Sequence, residues 1–155
     1  MPGRVAGAGR KPRAIIGFVE YVDLPEWQIA RLRAKVDTGA RSSALHVENI
    51  RELGEHAVQF DVRLHRRKPE RRVTITAPVS RRARVRPSTG VAEWRIFVST
   101  LVRIGTTEQR IELSLVDRQQ MIFRMLLGRS ALEEQFLVDV GGRYLATAKR
   151  KAGTR

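Results

Sequence analysis

The sequence predicts an all-β domain that closes into a barrel and contains little helix. Apolar residues recur with a period of two in one segment after another, which is the mark of half-buried strands. Pro and Gly punctuate those segments at short intervals, as the turns of a small barrel require. With 155 residues and a hydrophobic fraction of 42%, the chain is long enough to bury one core.

The elements are taken in chain order. Residues 14–22, rich in Ile, Val and aromatics, form a first strand closed by Leu24-Pro25-Glu26. An apolar strand then ends at Val36. Val58, Phe60, Val62 and Leu64 alternate with Gln59, Asp61 and Arg63. Val73, Ile75 and Ala77 repeat the pattern until Pro78, which has no N–H to give a ladder and should end the strand. Trp94, Ile96 and Val98 follow the turn signal Pro87-Ser88-Thr89-Gly90, and Ile111, Leu113 and Leu115 alternate with Glu112 and Ser114. One short helix is expected at Ala131-Leu132-Glu133-Glu134, with Ser130 as its N-cap. Residues 136–140 and 144–147, divided by Gly141-Gly142, read as a closing hairpin. No internal repeat is present, so the chain does not hold two copies of one lobe.

The net charge of +14 is unevenly spread. Residues 1–13 carry Arg4, Arg10, Lys11 and Arg13, and residues 148–155 carry Lys149, Arg150, Lys151 and Arg155, with no acid in either segment. Both are rich in Gly and Ala and read as flexible basic tails around a domain at residues 14–147. Without those eight charges, 22 basic residues face 16 acidic ones, a net of +6. Between Arg63 and Arg86, ten Lys/Arg meet only Glu70. Such a field favours polyanions, nucleic acid or acidic peptide, although a merely solvated basic surface is an equally good reading. No apolar run approaches the roughly 20 residues of a membrane span. The apolar stretch at residues 14–19 is a poor signal peptide, so the cytoplasm is the default location and no membrane partner is expected. With no cysteine, disulfides, thiolate catalysis and Cys-based zinc sites are excluded.

The most informative stretch is Lys35-Val36-Asp37-Thr38-Gly39-Ala40. A strand ends at Val36 and a turn of small residues exposes one carboxylate. Gly39 lets the backbone approach that carboxylate and offer an N–H. The Thr38 hydroxyl can donate and accept, and so brace a neighbouring loop. Two carboxylates about 3 Å apart cannot both ionise and share a proton, so one can act as base toward water while the other protonates a carbonyl oxygen. The motif occurs once, because Ser88-Thr89-Gly90 follows Pro87 and not an acid. The second carboxylate must come from another chain, and a twofold homodimer supplies it. Asp-Thr-Gly alone is weak, since most such tripeptides are plain turns. Met125-Leu126-Leu127-Gly128-Arg129 downstream, just before the short helix, strengthens it.

An Asp-Thr-Gly-Ala turn followed later by two hydrophobic residues and a Gly ahead of a helix resembles the retropepsins. In that fold Leu126, Leu127 and Gly128 would support the turn from beneath, and Arg129 would fix the loop after them. A closer resemblance is to the bacterial family long labelled ATP-dependent zinc proteases and associated with the glutamate ligase RimK. It runs through Gly17-Phe18-Val19-Glu20, Leu24-Pro25, Ala34–Arg41, Ser43-Ala44-Leu45-His46, Asp117-Arg118, Met121, Phe123–Arg129 and Phe136–Asp139, about residues 15–147. Pro87-Ser88 stands where the family pattern has Ser-Asn after the Arg, and residues 66–84 are unusually basic. The resemblance implies a retropepsin-like closed barrel and an aspartic peptidase without cofactor, with Asp37, Thr38, Gly39 and Ala40 at its centre. The RimK association implies acidic or glutamate-extended peptide substrates. Arg41, one residue past the turn, is then a candidate for binding a substrate carboxylate or lowering the pKa of Asp37. Arg86, Ser88, Gly90 and Arg95 around the expected flap are further candidates.

Three bland readings stand beside these. A zinc peptidase needs ligands such as His-Glu-x-x-His on one helical face. His46, His56 and His65 have no such spacing, so His46 reads as a polar residue near the site and the other two as strand-edge residues; no metal is expected. Ser42 and Ser43 near His46 lack the strand-to-helix elbow of a serine nucleophile. A non-catalytic barrel binding RNA or ribosome through residues 63–86 is the remaining rival. Trp27, Trp94, Tyr21 and Tyr144 are not interleaved with that basic run in sequence, which counts against stacking on bases.

Overall fold

A computed structural model of the protein describes residues 12–65, 67–86, 90–118 and 122–148. The fold is all-β with one short helix. Ala14–Leu24 (β1) and Ile29–Val36 (β2) pair antiparallel around a single 3-10 turn at Pro25–Trp27. Pro25 opens that turn, where its missing N–H costs nothing. Ser43–His46 (β3) is buried at all four positions. Glu48–Glu52 (β4), Ala57–Arg63 (β5) and Arg72–Pro78 (β6) make a separate three-stranded antiparallel sheet in that order. Arg81–Val85 (β7) pairs with the start of Glu93–Ile104 (β8), and β8 continues along Thr107–Val116 (β9). Met125–Leu127 (β10), the helix Arg129–Leu132 (α1) and Phe136–Arg143 (β11) complete the described fold.

The larger sheet runs β11-β1-β2-β10-β3-β9-β8-β7 and closes into a ring where Asp23 of β1 meets Arg103 of β8. β11 and β7 lie outside the closing pair, at the two ends of the strand order. Most pairs are antiparallel, as expected, but β1–β11, β2–β10 and β3–β9 are parallel. The sequence period drives the packing. In β5 Val58, Phe60 and Val62 are fully buried while their neighbours are not. In β6 Ile75 and Ala77 face the same core, and Pro78 is indeed the last residue. The ring contributes Ile16, Leu45, Leu113 and Leu127 to that core. Trp27 meets Phe60 edge-on at 5.5 Å between ring centres, tying the 3-10 turn to the smaller sheet. Among the described residues no helix is long and apolar enough to cross a membrane.

Three expectations are corrected. Residues 136–147 do not form a hairpin. β11 continues through Gly141 and Gly142, parallel to β1, with an irregularity in register between Asp139 and Arg143. A glycine is needed at position 17 because β1 and β11 approach closely at this point. A Cβ on Gly17 would sit 2.4 Å from the Gly142 carbonyl oxygen. The chain beyond β11 then folds over Glu20, which is fully buried. The Glu20 carboxylate accepts N–H bonds from Gly17 (2.7 Å), Leu145 (2.8 Å), Ala146 (3.1 Å) and Thr147 (3.0 Å), and the Thr147 hydroxyl at 2.5 Å. A buried carboxylate is tolerable only with such satisfaction.

Ser130 is inside α1, not its cap. Gly128 holds the cap position without a side-chain bond. The first helical amides, of Arg129 and Ser130, donate at 2.9 Å to the Ala40 and Arg41 carbonyls, so no capping side chain is needed. His56 and His65 are exposed in the turns that flank β5, not on a strand edge. The expected tails fall mainly on residues 1–11 and 149–155, outside the described residues.

Candidate active site

The carboxylate of Asp37 is placed by backbone bonds from two directions. β2 and β10 run parallel with Val36 opposite Leu127, so the chain leaves β2 directly above the end of β10. The Asp37 N–H donates to the Leu127 carbonyl at 2.8 Å. The Ala40 N–H returns to the Asp37 carbonyl at 3.2 Å and closes the turn. The Gly39 N–H reaches Asp37 Oδ1 at 3.1 Å, the bond anticipated for a glycine at this position. From the other side the Arg129 guanidinium donates to the Thr38 carbonyl at 2.9 Å.

Beneath the turn, Gly128 is fixed by its lack of a side chain. A Cβ there would lie 2.4 Å from the Ser42 carbonyl oxygen. Its N–H donates to Ser43 Oγ at 3.0 Å, and the Ser43 carbonyl accepts the Ser114 hydroxyl at 3.3 Å. Ser43 is therefore a buried strut. Leu126, Leu127, Gly128 and Arg129 lie together under and beside the turn, where the motif put them.

Asp37 is half-buried and makes no ion pair among the described residues. It lines a cleft of about 910 Å³ together with Gly39, Ala40, Leu126 and Arg129. Arg41, Arg86 and Arg95 line the same cleft. Arg41 and Arg86 are exposed and form no ion pair among the described residues, whereas Arg95 is held by Glu93 at 2.8 Å. Arg41 is thus available to a ligand and not committed to Asp37. Gly90 is exposed but does not line the cleft, and Ser88 lies outside the described residues. The Thr38 hydroxyl is on an exposed residue and braces no described loop within the chain.

Arg81, Arg118 and Glu112 line the cleft although none was a candidate site residue from sequence, Arg118 having entered only through the family resemblance. Arg81 belongs to a run read as undifferentiated charge. Here it donates to Glu112 Oε1 at 2.9 Å and stacks 3.9 Å over Phe97. The Ser80 hydroxyl, and after it Arg81, hold the Glu112 carboxyl below the ordinary range. The basic run is largely divided in space. Arg63 and Arg72 pair with Glu48, and Arg82 with Glu52, so much of its field is neutralised internally.

His46 ends β3 fully buried. Its Nδ1 accepts the Arg118 N–H at 3.1 Å. Burial, then the nearby Arg124, lowers its pKa. Among the described residues no three His, Asp or Glu side chains gather as a metal-holding group.

A family model described as retropepsin-like aspartic endopeptidase RimB matches residues 15–149. The chain belongs to this RimB-like family. The family resemblance read from the Asp37 and Leu126-Leu127-Gly128 motifs is borne out. The chain is also 35% identical over 130 residues to a probable alpha-L-glutamate ligase of Shewanella pealeana, covering 81% of this chain and 28% of that protein. A probable alpha-L-glutamate ligase of Desulfotalea psychrophila is 35% identical over 132 residues, covering 82% of this chain and 28% of its own length. The RimB-like chain thus spans little more than a quarter of these relatives. A crystal structure of a Legionella pneumophila protein of unknown function superposes with a TM-score of 0.71 at 24% identity, covering 87% of this chain and 99% of that one. That likeness establishes a shared fold.

Proposed function

We propose that the protein is a cytoplasmic aspartic peptidase whose active form is a twofold homodimer, with Asp37 and its symmetry mate as the catalytic dyad. The observation that carries this reading is Asp37 itself. It is an unpaired, half-buried carboxylate on a turn fixed by Leu127 and Gly39, lining a cleft large enough for an extended peptide. One ionised carboxylate takes a proton from water, and the water oxygen bonds to the peptide carbonyl carbon. The partner carboxyl gives its proton to the carbonyl oxygen. Collapse of the tetrahedral adduct breaks the C–N bond, with a proton passing to the leaving amine. This chemistry needs two carboxyl groups about 3 Å apart, which one chain with one such turn does not supply. The exposed Thr38 lies beside Asp37, on the surface a twofold partner would have to approach.

The substrates we propose are acidic or glutamate-extended peptides. The uncommitted guanidinium groups of Arg41 and Arg86 in the cleft support this, as does the ligase name of the relatives. Asp37→Asn tests the reading. It keeps the shape of the side chain but removes the shared proton, so cleavage of an oligoglutamate-tailed peptide should fall by orders of magnitude. A chelator should leave the wild-type rate unchanged. Activity lost to chelation and restored by zinc, with Asp37→Asn still active, would establish a metallopeptidase instead.

A further inference from the structure

The Arg-rich run that lines the cleft also stands beside an uncovered aromatic. Trp94 is 72% exposed, although it sits within a regular strand. Directly opposite residues of an antiparallel pair share one face of the sheet, with Cβ atoms about 5 Å apart. In the β7–β8 pair Arg84 stands opposite Trp94, and Arg82 stands opposite Ile96. Arg81 opposite Phe97 and Ala83 opposite Arg95 occupy the other face, which lines the cleft, and Arg84 and Arg86 line the cleft as well. Arg82 is bound by Glu52 at 2.7 Å. Arg84 is exposed and makes no ion pair or hydrogen bond among the described residues, and Arg86 is likewise uncommitted. Val91, 87% exposed, extends the uncovered surface at the same end.

We propose that this face of the β7–β8 pair binds single-stranded RNA, with Trp94 as the stacking platform for a base and Arg84 as the contact to its phosphate. An indole face stacks any base, and a guanidinium one cross-strand position away reaches a group carried beside that base. Sequence order hides this combination because the aromatic and the basic residue lie on different strands. A second copy of the chain fits the face less well, since a twofold contact would bring Arg84 and Arg86 toward their own mates. An acidic peptide would satisfy the guanidinium groups but offers no planar partner to Trp94. The site adjoins the Asp37 cleft, which Arg84 and Arg86 also line, and binding of RNA there requires no peptidase activity.

The experiment is fluorescence anisotropy of a short labelled oligouridylate with the full chain, titrated across salt concentrations. Basic terminal segments contribute equally to wild type and variants, so the differences between proteins are what is read. Trp94→Ala should weaken binding about tenfold, whereas Trp94→Phe, which retains a stacking ring, should stay near wild type. Arg84→Ala should reduce the steepness of log K against log salt by about 0.7, one phosphate contact on a single strand. Trp94 is exposed, so none of these changes threatens the core. Equal RNA affinity for wild type and Trp94→Ala would overturn the proposal. So would a Trp94→Ala defect confined to an oligoglutamate competitor, or one seen only in self-association by sedimentation.

Discussion

The Leu127 carbonyl holds the Asp37 N–H at 2.8 Å, so the position of the candidate catalytic turn is set by a strand distant in sequence. Gly128 makes that approach possible, because a Cβ there would lie 2.4 Å from the Ser42 carbonyl oxygen, against backbone that has nowhere to go. Gly128→Ala should therefore cost about 1–3 kcal/mol of stability, as overpacking does. It should also displace the turn. The check is thermal unfolding together with peptidase rate at a temperature where both proteins are folded. A variant that is less stable but fully active would show that β10 does not set the geometry of Asp37.

His46 gives a pH dependence with a definite sign. It is fully buried, and burial followed by Arg124 lowers its pKa, while Asp117 and Glu48 oppose that shift and Arg63 adds to it. The folded pKa lies below the unfolded value of about 6.5, so between the two the unfolded chain binds the extra proton. Stability should be full above that pH and decline as pH falls below it. The carboxylates with lowered pKa, Glu26, Asp61 and Glu112, lose their contribution only at more acidic pH. His46→Asn keeps an acceptor for the Arg118 N–H without titrating. The melting temperature of the variant should change less than that of wild type between about pH 7 and pH 5.5. Parallel curves would assign the decline to other groups.

These two sites show what sequence could and could not carry. The strands of the core were legible because burial alternates on β5 and β6 just as the apolar residues do, although on β9 Ser114 is buried along with Leu113 and Leu115. The Asp37 turn was legible because it rests on local backbone chemistry, a Gly N–H beside a carboxylate, whereas its support at Leu126-Leu127-Gly128 was legible only through the resemblance to the retropepsins. β7 was not legible, since Arg81, Arg82 and Arg84 give no apolar alternation. Its strand form comes from pairing with β8. The closing hairpin was misread because Gly141-Gly142 resembles a turn, whereas β11 continues through both, with the Gly142 carbonyl packed on Gly17, and Glu20 gathers the chain that follows. β3 was missed because Ser43 and His46 look like loop residues until their partners, Gly128 and Arg118, are known.

Dependence on a second copy is checked by dilution. One chain carries one Asp-Thr-Gly turn, so a monomer cannot form the dyad. Specific activity should fall as the protein is diluted, in step with the dimer fraction measured by sedimentation, and rates should become second order in protein at low concentration. A monomer with undiminished specific activity would rule out the shared site.

Arg41 tests how the cleft reads its substrate. It lies one residue past Ala40, lines the cleft beside Asp37 and makes no ion pair among the described residues. A guanidinium so placed can take a substrate carboxylate bidentately, with charge-assisted bonds each contributing about 1.5–3 kcal/mol. Arg41→Ala should then lower kcat/KM for a Glu-rich peptide roughly tenfold or more while sparing a neutral peptide. Because Arg41 is not paired with Asp37 within the chain, the pH–rate profile should keep its shape. Direct tuning of the dyad by Arg41 would give a different result, with the profile moving equally for both substrates. The measurement is kcat/KM for one acidic and one neutral peptide across pH, in wild type and variant. An unchanged acidic-to-neutral ratio would mean that Arg41 does not read substrate charge, and selectivity would then have to reside in Arg86 or beyond the described cleft.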